Sequence, residues 1–291
     1  MKKMLFVFII LIFISGCAST NQFRNYDDES KGGYTDGVKI NILSPTSTEI
    51  WEGSGFVVKV KLENYADCDV SGDLCVRDLL GDGFGGIQDN CQGFSIRKHD
   101  INVPYLSFQG DPYESIDRKI TTTIQAEATY SCSISLDPLI CIRDDSEETA
   151  KLCKDSETVS GKYPGLKTAP ITITSVQKEF DPYTGTLRLD IYLDSMGGEL
   201  VGDTINDNRE EGFPINIEYG SYGGLDCNNV EDGIYYWKSN TENIINCETS
   251  ISSVNDVEEN FLKIDLTYRY RIRGSKPVTI RDRDDEFGGG N

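Results

Sequence analysis

Cysteine is the residue type that promises the most chemistry in this sequence. Nine occur, at Cys17, Cys68, Cys75, Cys91, Cys132, Cys141, Cys153, Cys227 and Cys247. Thiols can pair, ligate zinc or act as nucleophiles. A zinc site wants Cys or His at close spacing, yet the sequence has no Cys-x-x-Cys and its single histidine, His99, lies far from a matching set. Cys17 stands apart by position, and the eight that remain are an even set, the arithmetic of four disulfides. Six of them fall between 68 and 153 and two at 227 and 247. Cys227–Cys247 is then the pairing available within the second group, closing a loop of about twenty residues worth about 3 kcal/mol. Cys141–Cys153 would close a short polar loop, and Cys68 would pair with Cys75 or Cys91.

The remaining candidates are thinner. A Ser-His-Asp site would have to use His99, which sits between Lys98 and Asp100 in an apparent loop. Carboxylates are abundant, but a glycosidase needs two set about 5–9.5 Å apart across a cleft, and abundance says nothing about that. Oxygen-rich turns could hold Ca²⁺. One runs from Asp78 to Asp89 and includes Asp82; the other carries Asp203, Asn206, Asp207, Asn208 and Glu210. Neither has the EF-hand spacing, and solvated acidic turns are common in a chain this acidic. Structural Ca²⁺ is the one cofactor these residues suggest. Tyr222, Tyr235, Tyr236 and Trp237 form an aromatic cluster suited to a glycan or protein partner, because tyrosine and tryptophan offer large contact area at low entropy cost. Arg269, Arg271 and Arg273 alternate along one stretch and read as a solvated strand face.

The formal net charge is -20 over 291 residues. An acidic surface repels phosphate backbones, so nucleic acid is not an expected partner.

The N-terminus has its own logic. Lys2 and Lys3 precede an apolar run from Met4 to Ile14, then Ser15-Gly16-Cys17. A spanning helix needs about 20 apolar residues, and this run is shorter. Positive start, short apolar core and small residues before a cut are the pattern of a cleaved signal. Ile14-Ser15-Gly16-Cys17 resembles the lipobox of prokaryotic lipoproteins. The resemblance implies that residues 1–16 are removed and that Cys17 carries a diacylglycerol. It also implies an extracytoplasmic, surface-exposed protein lipid-anchored to the cell membrane or outer membrane. Two acyl chains anchor durably where one binds marginally. Residues 17–37 are polar and read as a flexible tether.

The elements that must position all these groups are strands. Phe56, Val58, Val60 and Leu62 alternate with Val57, Lys59, Lys61 and Glu63, the period of a half-buried strand. Ile120, Thr122, Ile124, Ala126 and Ala128 repeat it toward Tyr130. Leu187, Leu189, Ile191 and Leu193 do so again, and most clearly Leu262, Ile264, Leu266, Tyr268, Tyr270 and Ile272. Pro277 is expected to turn the chain before Val278–Ile280. Shorter strands are expected at Val38–Leu43, Asp73–Val76, Phe94–Ile96, Val103–Phe108, Ser133–Ile142, Ile215–Tyr219 and Tyr235–Trp237. Residues 143–168 form an acidic, disulfide-pinned connection with one helical turn near Glu147–Lys151, and 282–291 a disordered tail. The fold class expected is all-β: two antiparallel β-sandwich domains in tandem, 38–142 and 169–281.

Val58-Lys59-Val60-Lys61-Leu62-Glu63-Asn64 resembles the strand running into Asn of Ig-like, cell-adhesion-type domains of bacteria and archaea. Leu189-Asp190-Ile191-Tyr192-Leu193-Asp194 followed by Gly197-Gly198 is similar. The Cys141…Cys153 pair before Ala169-Pro170-Ile171-Thr172-Ile173 resembles exported tandem β-sandwich proteins of small-genome archaea. The resemblance implies a fold and a setting; the function expected is a non-enzymatic display protein for adhesion, envelope organisation or binding of a protein or glycan. The alternative is a lipoprotein precursor of a surface filament, cut near Arg24 and self-assembled by strand donation. A third class, a secreted carboxylate-dependent hydrolase, would need a deep pocket with converging carboxylates.

Overall fold

A computed structural model describes residues 37–45, 48–80, 83–159, 169–195, 198–204, 211–238 and 242–283. The expected signal, the Cys17 lipidation site and most of the tether therefore lie outside the described residues, as do Asp82, Asn206, Asp207, Asn208, Glu210 and most of the tail.

The first half of the chain carries β1 (Val38–Ser44), β2 (Glu49–Trp51), β3 (Phe56–Asn64), β4 (Val70–Asp78), β5 (Asn90–Ile96), β6 (Leu106–Gly110), β7 (Ile120–Leu136) and β8 (Leu139–Arg143). A 3₁₀ turn at Thr149–Lys151 and β9 (Ser156–Thr158) occupy the acidic connection. The second half opens with β10 (Ile171–Asp181), β11 (Thr186–Ser195), β12 (Glu199–Leu200), β13 (Asp203–Thr204) and β14 (Glu211–Tyr219). It closes with β15 (Gly223–Gly224), β16 (Asp226–Asn228), β17 (Val230–Glu231), β18 (Ile234–Trp237), β19 (Asn243–Ser250) and β20 (Val257–Arg281). The fold is all-β and built in antiparallel sandwich layers.

Alternation decides which way each strand faces. In β3, Phe56, Val58, Val60 and Leu62 are buried while Lys59, Lys61 and Glu63 sit on the wetter face. In β20 all six residues from Leu262 to Ile272 on the expected face are buried. Burying a large apolar side chain is worth about 1.5–3 kcal/mol, so a one-residue slip of such a strand would forfeit many of these terms together.

One layer is a single large sheet with the path β17-β18-β14-β20-β7-β4-β5, buried on one face and wet on the other. Its spine is the antiparallel β7–β20 ladder, in register from Ile264↔Leu136 to Ile280↔Ile120. Two smaller sheets form the facing layer: β1-β3-β6 from the first half, and β16-β19-β11-β10-β9, four strands from the second half with β9 added from the connection. The halves expected at 38–142 and 169–281 thus each supply a smaller sheet, but the large sheet is common to both. The leading residues of the two halves meet on its inward face. Tyr130 Oη accepts from Val38 N at 3.4 Å, and Tyr268 Oη bonds both N and O of Ile171 at 3.2 Å. Tyr270 lies between them, with ring centroids 6.3 Å from each neighbour. A Cβ on Gly37 would stand 2.7 Å from Pro170 Cγ, so the close approach of these two segments requires glycine there.

Some expectations need correction. The strand expected at Ser133–Ile142 is two, β7 ending at Leu136 and β8 starting at Leu139. Pro277 does not turn the chain: β20 runs through it, opposite Thr123. Thr279 N donates to Thr48 O, away from β7. Residues two apart in a strand aim their backbone nitrogens the same way, so the missing N–H of Pro277 also faces away from the ladder and costs it nothing. Cys68 does not pair with Cys75 or Cys91. The disulfides are Cys68–Cys132, Cys75–Cys91, Cys141–Cys153 and Cys227–Cys247. Leu74 and Val76 point inward on β4, which turns Cys75 outward against its register partner Cys91. Cys68 enters the core, where Cys132 lies on the inward face of β7. Four disulfides mark an oxidising, extracytoplasmic environment.

Candidate functional site

The aromatic strand β18 pairs with β14 through Phe213↔Tyr235 and Glu211↔Trp237. Adjacent residues face opposite sides, so the cluster splits. Tyr235 is 1% exposed and packs edge-on against Phe213 at 5.6 Å. Its hydroxyl donates to Asn243 Oδ1 at 3.0 Å, and burial pushes its phenol up to about 12. Tyr235 is therefore a core residue and not part of a binding face. Trp237, on the same side, is half-buried beside Phe213 with centroids 6.5 Å apart. Tyr236 faces the other way and covers Gly212. Tyr222 is at the far end of β14, stacked on Tyr219 at 5.7 Å, its hydroxyl donating to Glu258 at 2.9 Å. The structure does not bring Tyr222 and Trp237 together.

Trp237 instead borders a cavity of about 390 Å³ with Thr174, Tyr192, Asp194, Lys238 and Glu242. These come from β10, β11 and the ends of β18 and β19. A register shift between Ile173 and Ser175 marks a bulge at Thr174, a device that re-aims side chains. Asn243 braces the far side: it accepts from Lys238 N at 2.9 Å and donates to Lys238 O at 3.1 Å. Aromatic rings, two carboxylates, an ammonium and the hydroxyls of Thr174, Ser195 and Tyr192 around an open hollow suit a polar, ring-bearing ligand.

Of the acidic turns, the first is structural where it is described. Asp78 accepts from Leu80 N and Ile87 N at 2.9 Å and from Tyr113 Oη at 3.0 Å, tying the turn shut. Asp89 pairs with Arg77 at 3.7 Å. In the second turn Asp203 starts β13, and its companions lie outside the described residues. Among the described residues no three His, Cys, Asp or Glu converge as metal ligands. His99 is exposed, its Nε2 2.7 Å from Asp67 Oδ1. Arg273 and Arg271 engage Glu127 and Glu199 at 2.7–3.5 Å on the outer face of the ladder. Among the described residues no helix is long and apolar enough to cross a membrane.

One group of chemistry-bearing residues was not singled out from the sequence. Lys178 is buried on the inward face of β10 between Val176 and Phe180. Its ammonium donates to Cys141 O at 2.8 Å and to Lys154 O, and lies 3.2 Å from Glu157 Oε1. Both sulfurs of Cys141–Cys153 are 3.8 Å away. Desolvation lowers the Lys178 pKa against the pull of Glu157. Next to it, Arg143 holds Asp155 in a two-pronged pair, both bonds 2.7 Å. The signal available was parity: Val176, Lys178 and Phe180 share the apolar face, which leaves a lysine pointing inward.

No family model matches the chain, and no curated protein matches it. Among solved structures, Escherichia coli alpha-2-macroglobulin activated by porcine elastase aligns at 8% identity with a TM-score of 0.12. It covers 84% of this chain and 32% of that one, so the chain spans about a third of its length. That likeness carries no argument about fold or function.

Proposed function

We propose that this chain is a lipid-anchored, non-enzymatic extracytoplasmic protein that displays a disulfide-stapled β-sandwich body for binding a protein or glycan partner. The observation that carries the reading is the cysteine set. Eight cysteines pair among themselves, and the ninth, Cys17, is the one that follows Ile14-Ser15-Gly16. A thiol spared from pairing at that position is the acceptor of a diacylglycerol. The polar residues from Ala18 to Asp36 hold the body off the membrane. The hollow beside Trp237 and Tyr192 is the favoured partner site, since its rings and carboxylates suit hydroxyl-rich or peptide ligands.

The test is intact mass and membrane fractionation of the chain expressed with its own leader. The mature protein should begin at Cys17 and carry the mass of a diacylglycerol, and Cys17→Ala should leave the membrane fraction. An unmodified mature N-terminus in a membrane-free fraction overturns the anchor.

A further inference from the structure

We infer that Cys141–Cys153 is a thiol–disulfide exchange site for a dithiol, with Lys178 holding the thiolate that leaves. The inference is independent of the anchor. It rests on a difference in access and charge across one disulfide.

Cys141, on β8, is half-buried, whereas Cys153 is 1% exposed. An incoming thiolate therefore reaches Cys141 Sγ. Attack there forms a mixed disulfide with Cys141, breaks the Cys141–Cys153 bond and leaves its electron pair on Cys153 Sγ. A second thiolate of the same dithiol then displaces Cys141. The net products are the oxidised dithiol and two reduced cysteines, with the two protons coming from the dithiol. A buried thiolate is ordinarily a poor leaving group, because desolvation disfavours its charge. Here the Lys178 ammonium already lies 3.8 Å from Cys153 Sγ and 3.8 Å from Cys141 Sγ. A cation fixed beside the leaving sulfur lowers its pKa and favours the reduced state.

Glu157 competes for the same ammonium, being 3.2 Å from Lys178 Nζ and 3.8 Å from Cys141 Sγ. It thereby holds the oxidised state in balance. The other disulfides are placed differently. Cys68–Cys132 is sealed in the core, and Cys75–Cys91 and Cys227–Cys247 bridge register partners on neighbouring strands. Access alone does not separate them, since Cys91 is exposed and Cys227 half-buried; the ammonium 3.8 Å from both sulfurs is what marks Cys141–Cys153. Opening Cys141–Cys153 would loosen the segment around Thr149–Lys151, which the bond pins to β8 together with the Arg143–Asp155 pair, without cutting the β7–β20 ladder.

The test is equilibration of the folded chain in dithiothreitol redox buffers, followed by differential alkylation and peptide mass spectrometry of all four pairs. Cys141–Cys153 should be half-reduced at a less reducing ratio than Cys227–Cys247. Lys178→Met should move its midpoint about tenfold toward the oxidised form, about 30 mV for a two-electron couple. Glu157→Gln, which retains the cation and loses its competitor, should move it the opposite way. Opposite shifts in two variants are not produced by loss of packing. An equal midpoint in wild type, Lys178→Met and Glu157→Gln overturns the inference, and so does reduction of Cys141–Cys153 only after the other three pairs. If Lys178→Met fails to fold, the Glu157→Gln shift alone decides.

Discussion

The β7–β20 ladder and the Lys178 clasp both tie distant parts of the chain together, and they do so by contrasting means. The ladder sets apolar and aromatic side chains on one face over seventeen register partners. Each contributes a little, and neighbours share the load. The clasp hides one ammonium among two carbonyls, a carboxylate and a disulfide. Its stability depends on every partner being in place, because a buried charge without partners is costly. A ladder degrades gradually; a clasp opens at one point. That difference suits the ladder to holding the fold and the clasp to being opened.

The widest test of the contrast is truncation after Arg273, which removes the ladder from Gly274↔Ala126 to Ile280↔Ile120. Ile120–Ala126 of β7 then lose their β20 partners, while Ile264–Arg273 stay paired. Loss of the cooperative thermal transition and rapid proteolysis of residues 38–142 are expected. A truncated chain that melts cooperatively would show the halves to be independent.

Next in size is alkaline unfolding. Tyr113, Tyr130, Tyr219, Tyr235, Tyr268 and Tyr270 are all buried, and burial raises every one of their phenol pKa values. Above about pH 10 the unfolded chain releases these protons while the folded chain keeps them. The stabilisation is therefore complete below about pH 10 and is lost as pH rises, at about 1.4 kcal/mol per unit for each such tyrosine. Phenolate absorbance should rise together with loss of the β-sheet circular dichroism. Ionisation with the sheet signal intact would refute it.

Single substitutions should then separate the two regions. Leu266→Ala in the ladder is expected to cost about 2–5 kcal/mol in urea unfolding. Lys178→Met leaves two carbonyls unbonded and is expected to cost about 1–3 kcal/mol, with coupling to Glu157→Gln in a double-mutant cycle. The smallest effect belongs to the ladder's wet face: Arg273→Ala breaks exposed pairs with Glu127 and Glu199 and should cost under about 1 kcal/mol, less at high salt. A larger loss there would mean the outer face is itself a binding or packing surface.

Strand faces were legible in the residues because side-chain direction depends only on local parity. The Leu262–Ile272 stripe and the Phe56–Leu62 stripe could be read at once. Parity would also have placed Cys132 inside, two residues beyond Tyr130, and so away from outward Cys75. The Tyr235-Tyr236-Trp237 run had to split between faces, but which side was core required the sheet. Lys178 escapes a sequence reading because lysine is so rarely buried that its place on an apolar face reads as a surface position. Tyr222 seemed to belong with Trp237 by sequence distance, yet β14 carries the two to opposite ends.

By itself the sequence determined the all-β class, the facing of its long strands, and an even cysteine set once Cys17 is set aside. Local sterics and the hydrophobic pattern suffice for these, since each depends on residues one or two positions apart. Only the tertiary structure decided that β20 of the second half pairs with β7 of the first in one sheet. It also decided that Cys68 meets Cys132, and that an ammonium from β10 lies against a disulfide from β8. Those pairings join residues 64 positions apart for Cys68–Cys132 and 37 for Lys178 and Cys141. Period-two patterning tells a strand which way to face but not which strand to lie beside.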